Sequence, residues 1–328
     1  MARRKSSSRT PKRESSGVIY LIVLLCLAAI FHEPIARALR EKQPAATEEP
    51  AKRTEVTGKR TEATAKRTEA TAKQPKETAK RTKTAARQPE AAKITGNGNL
   101  LLPAPLKNVP EQLLHRKGYV TSYNREHKLP NWVAWELTPE KLVERESRTD
   151  KFLPDPDLPE SQAVTTDDYK RSGMDRGHMC PAGDNRWHWK AMQESFYMTN
   201  ICPQNHNLNR GDWKELEEAC RLWAQREGKI YIVCGPILYR QKHRTIGRKQ
   251  QITVPEAFFK VILCTTSTPP KAIGFIYKNT SGNHPLDAYV NTVDEVERIT
   301  GIDFFPALPD VVEKQVESTF NLDLWQRK

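Results

Sequence analysis

Long apolar runs are scarce in this 328-residue sequence. The most apolar stretch, residues 17–31, has fifteen uncharged residues, fewer than the ~20 that a helix needs to cross a bilayer. It follows a basic N-terminus, residues 1–16, with six Lys and Arg. A short apolar segment behind a basic flank is typical of a signal anchor or a signal-peptide core. We therefore expect an exported chain, anchored in a membrane through this segment with an extracytoplasmic (periplasmic or extracellular) domain, or secreted if residues 1–38 are removed.

Net charge is nearly absent from the larger part of the chain, although the whole chain carries +13. Residues 1–99 hold 22 Lys and Arg against 10 Asp and Glu, whereas residues 100–328 hold 31 against 30. The overall basicity therefore says little about what residues 100–328 bind. Any recognition of phosphate there has to come from individual Arg and Lys side chains.

Apolar residues are also missing from the seven-residue repeats of residues 52–86, whose units include KRTEVTG and KRTEATA. A coiled coil needs apolar side chains at two positions of each heptad, and the repeat offers Ala, Thr or charged residues there. Such a segment cannot bury enough apolar surface to offset its ordering entropy. The sequence thus predicts an N-terminal segment over 1–39, a solvated low-complexity basic spacer over 40–99 and a folded domain over 100–328. Contact of the spacer with anionic polymers or lipid head groups is an alternative.

Cysteine is rare, with six in the chain and five beyond residue 100, at positions 180, 202, 220, 234 and 264. An odd number in an oxidising compartment leaves at least one thiol free or paired between chains. Cys234 and Cys264 lie in apolar segments, so we expect them to be small buried hydrophobes.

The patterned segments beyond Leu100 mix strands and helices without a regular strand–helix alternation. Two β-type segments joined by a polar turn predict a hairpin, and Trp213, Leu216, Cys220 and Trp223 recur at helical spacing. The predicted helices are 186–197, 209–227 and 293–300, and the predicted strands are 118–123, 132–137, 230–234, 257–263 and 272–277. This mixture favours an α+β fold around a mainly antiparallel central sheet.

The densest polar cluster is Asp175–Asn185, which reads DRGHMCPAGDN. Arg176 and His178 flank a glycine, so a cation and a base can lie side by side where the backbone approaches a ligand closely. Imidazole titrates near neutral pH and is suited to moving a proton. The alternative is a surface loop with a hydrogen-bonded histidine.

A second polar cluster spans residues 200–217. Asn209 is placed at a helix start, and Glu217 follows eight residues later on a side chain that leans back toward it. An amide oxygen and a carboxylate acting through water would suit Mg²⁺, which keeps most of its water ligands. Taken separately, Asn209 would be an ordinary N-cap and Glu217 part of a solvated helix face.

Together these residues resemble the DNA/RNA non-specific endonuclease family, which includes mitochondrial endonuclease G and secreted bacterial nucleases. The resemblance covers about residues 115–310, and the sequence around Cys180 and Cys202 is more similar to bacterial members. It is carried by Asp175-Arg-Gly-His178, Asn200, Pro203-Gln204, Asn209-x-Gly-x-Trp-x-x-Leu-Glu217, Cys234-Gly-Pro-Ile237 and Thr300-Gly-Ile-Asp-Phe-Phe305.

The resemblance implies a ββα-metal (His-Me finger) core in a nuclease domain over 100–328. It also implies magnesium-dependent, sequence-non-specific hydrolysis of DNA and RNA that leaves 5′-phosphate ends. Mn²⁺ is an alternative ion, and a homodimer is one option for assembly. By motif position the resemblance implies that His178 is the general base and Asn209 the metal ligand. It implies that Glu217 orients metal-bound water and that Asn200 is a supporting active-site amide. Arg176 and Arg148 would be the two phosphate-binding cations.

Three other functions fit parts of the pattern. Spacing alone is compatible with a structural zinc site formed by His178, Cys180, Cys202 and His206. A catalytically inactive exported protein could bind nucleic acid mainly through its basic spacer. A thiol enzyme would pair Cys180 with His178, although the two are only two residues apart.

Overall fold

A seven-stranded antiparallel sheet runs through the computed structural model, which describes residues 99–280 and 282–326. The strand order is β1-β2-β3-β6-β9-β10-β11, and every neighbouring pair is antiparallel. Two further pairs, β4-β5 and β7-β8, form small separate sheets. The strands are β1 (Gln112–His115), β2 (Val120–Asn124), β3 (Leu129–Leu137), β4 (Asp175–His178), β5 (Ile201–Gln204), β6 (Ile230–Ile237), β7 (Thr245–Ile246), β8 (Ile252–Thr253), β9 (Ala257–Cys264), β10 (Lys271–Lys278) and β11 (Val290–Asn291).

The central strand β9 explains why the sheet has two cores. All eight of its residues are buried, because helices and loops cover both faces of the sheet. Successive side chains alternate between the faces, so Phe258 and Ile262 join one apolar cluster while Phe259 and Val261 join the other. A strand covered on both faces has a nearly continuous apolar sequence, and Lys260 is the charged exception.

The described residues contain six α-helices, which pack around the sheet: α1 (Trp189–Ser195), α2 (His206–Arg210), α3 (Asp212–Glu227), α4 (Val293–Thr300), α5 (Asp310–Glu317) and α6 (Asp323–Gln326). The apolar stripe of α3, with Trp213, Leu216, Cys220 and Trp223, packs into the same cluster as Phe258. Helices α4 and α5 cover the opposite face through Val293, Val296, Val312 and Val316. The fold is therefore three layers deep, with α3 and the small β4–β5 hairpin on one side.

The β4–β5 hairpin and helix α2 form the unit that carries the polar clusters. In its antiparallel register Asp175 faces Gln204 and His178 faces Ile201. Gly177 is required here because a Cβ at this position would stand 2.1 Å from Gln204 Oε1. Helix α2 begins two residues after β5, where the Asn205 side chain accepts hydrogen bonds from the amides of the first turn.

The structure confirms the predicted α+β class, the hairpin and the strands β6, β9 and β10, and α4 has the predicted bounds. The predicted helix 209–227 is wrong at its start, because Gly211 ends α2 and begins α3. A Cβ on Gly211 would lie 2.7 Å from the carbonyl oxygen of Asn207, so the break depends on glycine. Asn209 consequently lies near the end of a short helix, and Asn205 is the N-cap.

The predicted helix 186–197 is also shorter than expected, beginning at Trp189 and ending at Ser195. Its N-cap is His188, whose ring accepts a hydrogen bond from the Lys190 amide. Residues 186–188 form a turn and a bend that follow a short 3-10 turn over Ala182–Asn185. Tight turns around the polar cluster therefore replace the first part of the predicted helix.

All five cysteines beyond residue 100 are buried and unpaired in the described part of the chain. This confirms that Cys234 and Cys264 are small buried hydrophobes. The expected N-terminal segment 1–39 and nearly all of the spacer 40–99 lie outside the described residues. Within the described ranges, no helix combines the length and the apolar character needed to cross a bilayer.

Candidate active site

His178 is the last residue of β4, and its ring lies in an aromatic cradle formed by Phe152 and Phe196. Its ring centroid is 5.3 Å from that of Phe152 and 4.8 Å from that of Phe196. The side chain is 9% exposed, and its Nε2 atom is buried without a hydrogen-bond partner among the described residues. Burial, together with the charges of Arg148 and Arg176, lowers the pKa of His178 to about 3. The imidazole is therefore neutral near pH 7, which is the state a proton acceptor requires.

Both predicted phosphate-binding arginines lie beside this cradle. The Arg176 guanidinium lies 4.4 Å from the centroid of the Phe152 ring, and that of Arg148 lies 5.5 Å from the centroid of Phe196. Both residues are exposed, so their guanidinium groups are accessible from solvent. Stacking on an aromatic face holds a guanidinium in place without occupying its N–H donors. Arg148 Nε donates to Asp150 Oδ1 at 3.5 Å, and its other donors and those of Arg176 are available to an anion beside the histidine.

Asn209 is tied to the histidine-bearing strand by its own side chain. Its Nδ2 atom donates a hydrogen bond of 2.9 Å to Asp175 Oδ2, at the start of β4. The His206 ring also contacts the Asp175 carboxylate, at 3.2 Å. Because Asp175 occupies the amide nitrogen, the amide oxygen of Asn209 is the atom left to face a ligand. That oxygen is the kind of donor a hard divalent cation takes.

Asp175 opens the sequence motif that ends in His178, and the structure shows what its carboxylate contacts. Burial alone would raise its pKa, but hydrogen bonds from Asn209 and His206 lower the pKa of Asp175 below its usual value. An ionised carboxylate only accepts hydrogen bonds, so it fixes which way the Asn209 amide points. The signal available in the sequence was an acid opening the same motif that ends in the histidine.

Glu217 lies half-buried on α3, within the electrostatic reach of Arg148. Burial raises the pKa of Glu217 to about 7, with Lys260 opposing the rise and Asp184 adding to it. Arg148 acts on the pKa of both Glu217 and His178. Arg148 therefore lies close enough to influence both the predicted acid and the predicted base.

Lys260 is a site neighbour that the sequence interpretation missed. It is fully buried in β9 on the face that packs against α3, and its ammonium lies 4.3 Å from the centroid of the Trp213 ring. The ammonium has no hydrogen-bond partner among the described residues, and its charge favours the ionised form of Glu217. A lysine in the middle of the apolar run 257–263 was the sequence signal.

Asn200 is completely buried, and its side chain makes hydrogen bonds to backbone atoms. Its Oδ1 atom accepts from the Cys180 amide at 2.9 Å, while Nδ2 donates at 2.8 Å to the carbonyl oxygens of Cys180 and Ser195. These bonds tie the loop after His178 to the end of α1. The structure therefore places Asn200 where it positions the base rather than where it meets a ligand.

The rival zinc and thiol interpretations find no support in this geometry. Burial raises the pKa of Cys180 and of Cys202 well above the usual value, which disfavours the thiolate nucleophile of a thiol enzyme. The four proposed zinc ligands do not converge among the described residues. Among the residues that the structure describes, one group of potential metal ligands converges, and it consists of Asp294, Glu297 and Glu317 on α4 and α5.

An antiparallel strand pair that carries a histidine, followed by a short helix that carries an asparagine, defines a ββα-metal fold. The family model for the DNA/RNA non-specific endonuclease matches residues 98–311, and the chain belongs to this family. The match includes every predicted site residue. This confirms the family resemblance inferred from the sequence motifs.

Named relatives and a solved structure agree with this assignment. The chain is 38% identical over 205 residues to "Nuclease EXOG, mitochondrial" of Danio rerio, covering 58% of this chain and 60% of the relative. It is 34% identical over 236 residues to "Nuclease" of Nostoc sp., covering 67% of this chain and 83% of the relative. A chain in the crystal structure of the EndoG/EndoGI complex superposes with a TM-score of 0.57 at 28% identity, covering 61% of this chain and 87% of that one.

Proposed function

We propose that this protein is a metal-dependent endonuclease that hydrolyses phosphodiester bonds of DNA and RNA without sequence preference, leaving 5′-phosphate ends. The observation that carries the proposal is a neutral, unpartnered imidazole at His178 flanked by Arg148 and Arg176, on the strand whose first residue orients Asn209. Family membership and nuclease-named relatives support the same reaction.

His178 is the group that accepts the proton of the attacking water. Its neutral ring has a lone pair available, and burial together with the two nearby arginines keeps the pKa low while the site is free of substrate. A bound phosphate places negative charge beside those arginines, so the pKa of the imidazole rises when substrate arrives. The base therefore becomes stronger in the complex in which it is needed.

Arg148 and Arg176 bind the phosphate oxygens. Guanidinium groups donate paired hydrogen bonds that match the geometry of a phosphate. Contacts confined to the sugar–phosphate backbone carry no base sequence information. Cleavage with little sequence preference follows from this arrangement.

The amide oxygen of Asn209 fits a direct bond to a divalent cation, since Asp175 holds the amide nitrogen turned away. Mg²⁺ suits a site with one protein oxygen because it retains most of its waters, and Mn²⁺ is an alternative. When bound, the ion offsets negative charge on the phosphate and on the leaving oxygen. Glu217 offers a carboxylate that accepts hydrogen bonds from water, with Lys260 favouring its ionised form.

The full-length chain tests this proposal on circular DNA and on RNA, with Mg²⁺ and with EDTA. We expect cleavage of both substrates only with the metal, and a loss of about 10²–10⁴-fold in rate for His178→Ala, the usual contribution of a general base. Asn209→Ala should raise the Mg²⁺ concentration for half-maximal rate. His115→Ala, at an exposed histidine on β1, is the matched control and should cleave normally. Normal cleavage by His178→Ala would overturn the assignment.

We also propose that the protein is exported, with the domain on the outer side of a membrane. The support is the basic flank over 1–16 followed by the apolar residues 17–31. Protease treatment of cells from which any outer membrane has been removed should degrade the domain if the segment stays as an anchor. Secretion of a chain that lacks residues 1–38 would instead indicate cleavage, and an intact domain inside the cells would contradict export.

A further inference from the structure

Three carboxylates converge on the side of the sheet that faces away from the candidate active site. Asp294 and Glu297 lie one turn apart on α4, and Glu317 is the last residue of α5. One oxygen from each lies within 4.8 Å of the oxygens of the other two. Both helices pack on the apolar cluster opposite to α3, so this group is separate from His178 and Asn209.

Glu317 supplies the observation that points to a missing partner. It is only 6% exposed, and its Oε1 atom is buried without a hydrogen-bond partner among the described residues. Glu297, by contrast, is fixed in place because its Oε1 accepts a hydrogen bond of 2.6 Å from the Phe304 amide. A buried carboxylate oxygen without a donor is costly, and its position beside two other carboxylates leaves a cation as the natural partner.

The surroundings of the group carry negative charge that no ion pair within residues 99–280 and 282–326 neutralises. Burial and the charges of Glu297, Glu313, Asp294 and Asp303 raise the pKa of Glu317 to about 9. Arg298 on α4 pairs instead with Glu295, at 2.6 Å. Lys314, on the same helix as Glu317, is exposed and makes no ion pair with any described residue. The charge of the group is therefore left for a ligand or for protons to offset.

We propose that Asp294, Glu297 and Glu317 bind a divalent cation, with Ca²⁺ as the best fit. Ca²⁺ takes carboxylate oxygens at about 2.3–2.6 Å in flexible geometry, so oxygens on opposite sides of the ion stand roughly 4.6–5.2 Å apart. Zinc prefers nitrogen and sulfur ligands, and none is present in the group. Three protein oxygens completed by water would join α4 to the end of α5, which makes the ion a structural clamp on the outer layer.

Thermal unfolding of the full-length chain tests the site in an Asn209→Ala background, which removes the proposed metal ligand at the active site. We expect saturating Ca²⁺ to raise Tm by about 5 °C relative to EDTA, since a ligand that binds only the folded state stabilises it. Adding Glu317→Gln should abolish the rise. Adding Glu313→Gln, the same change on the same helix outside the group, should preserve it. Titration calorimetry with Ca²⁺ should give one site in Asn209→Ala and in the variant that adds Glu313→Gln, and none in the variant that adds Glu317→Gln.

The alternative occupant is a shared proton. In that case Ca²⁺ leaves Tm unchanged in every variant and Glu317→Gln raises Tm in EDTA at pH 7, and this result overturns the proposal. An equal loss of the Ca²⁺ effect in Glu317→Gln and Glu313→Gln would also overturn it, because it would indicate general charge screening. If Glu317→Gln does not fold, Asp294→Asn at the exposed member of the group replaces it and should likewise remove the rise.

Discussion

The candidate site works through residues that constrain one another's chemistry. Phe152 and Phe196 pack against the His178 ring and shield most of it from bulk water, while Arg148 and Arg176 make its protonated form still less favourable. The motif at 175–178 singled out His178 and Arg176 as candidates, and a separate short segment singled out Arg148; their roles stay predictions. The aromatic cradle could not be predicted, because Phe152 and Phe196 reach the ring from separate segments of the chain.

The depressed pKa of His178 predicts a specific dependence of stability on pH. The unfolded chain protonates this residue below about pH 6.5, whereas the folded chain resists protonation until about pH 3. Within that window the unfolded state binds more protons, so the folded state is less stable as the pH falls. Between pH 6.5 and pH 4 the residue should account for about 3 kcal/mol, at ~1.4 kcal/mol per pH unit.

Replacement of the histidine by a residue that does not titrate tests this pH dependence. We expect the fall in unfolding free energy between pH 6.5 and pH 4 to be smaller in His178→Gln than in the unmodified chain. His115→Gln, at an exposed position, should keep the original slope. Denaturant titration at a series of pH values measures the effect, and equal slopes in all three proteins would show that His178 titrates normally.

At the scale of elements, apolar periodicity predicted the parts of the fold that are buried on at least one face. Strands β6, β9 and β10 and helix α4 follow from their own sequences, since burial determines their pattern. Strands β4 and β5 could not be predicted from their own sequences. Four-residue segments with Arg, Gly and Pro carry no β signal and become strands only by pairing. The break at Gly211 is likewise invisible in a sequence whose helical pattern continues on both sides.

The break at Gly211 is expected to matter for the metal site. In Gly211→Ala the new Cβ would meet the Asn207 carbonyl oxygen at 2.7 Å, which forces the end of α2, and Asn209 with it, to shift. We expect the Mg²⁺ concentration for half-maximal cleavage to rise about tenfold or more, as for other changes that misplace a metal ligand. Metal titration of the cleavage rate measures this shift.

The control for this change is Gly228, at the other end of α3, the helix that Gly211 begins. Gly228 has a φ of 79° and no neighbour near its Cβ position. Gly228→Ala should lower stability by about 1 kcal/mol through the backbone alone and leave the metal requirement unchanged. A similar metal requirement in both variants would argue against α2 as the element that sets the position of Asn209.

At the scale of the whole molecule, the sheet separates two groups of polar and charged residues. The face covered by α3 and the β4–β5 hairpin holds His178, the two arginines and Asn209, and the face covered by α4 and α5 holds the proposed cation clamp. The sequence predicted the first group through its motif. It could not predict the second, because Asp294 and Glu317 are 23 residues apart and meet only when two helices pack on the same sheet.

The central claim is that His178 and the cation held by Asn209 act on a single phosphate in one step. Cleavage rates of the full-length chain, of His178→Ala, of Asn209→Ala and of the double variant at saturating Mg²⁺ test it most directly. Residues that act as a unit are strongly non-additive, so we expect the double variant to be about as slow as the slower single variant. Rate losses that multiply independently would contradict the account.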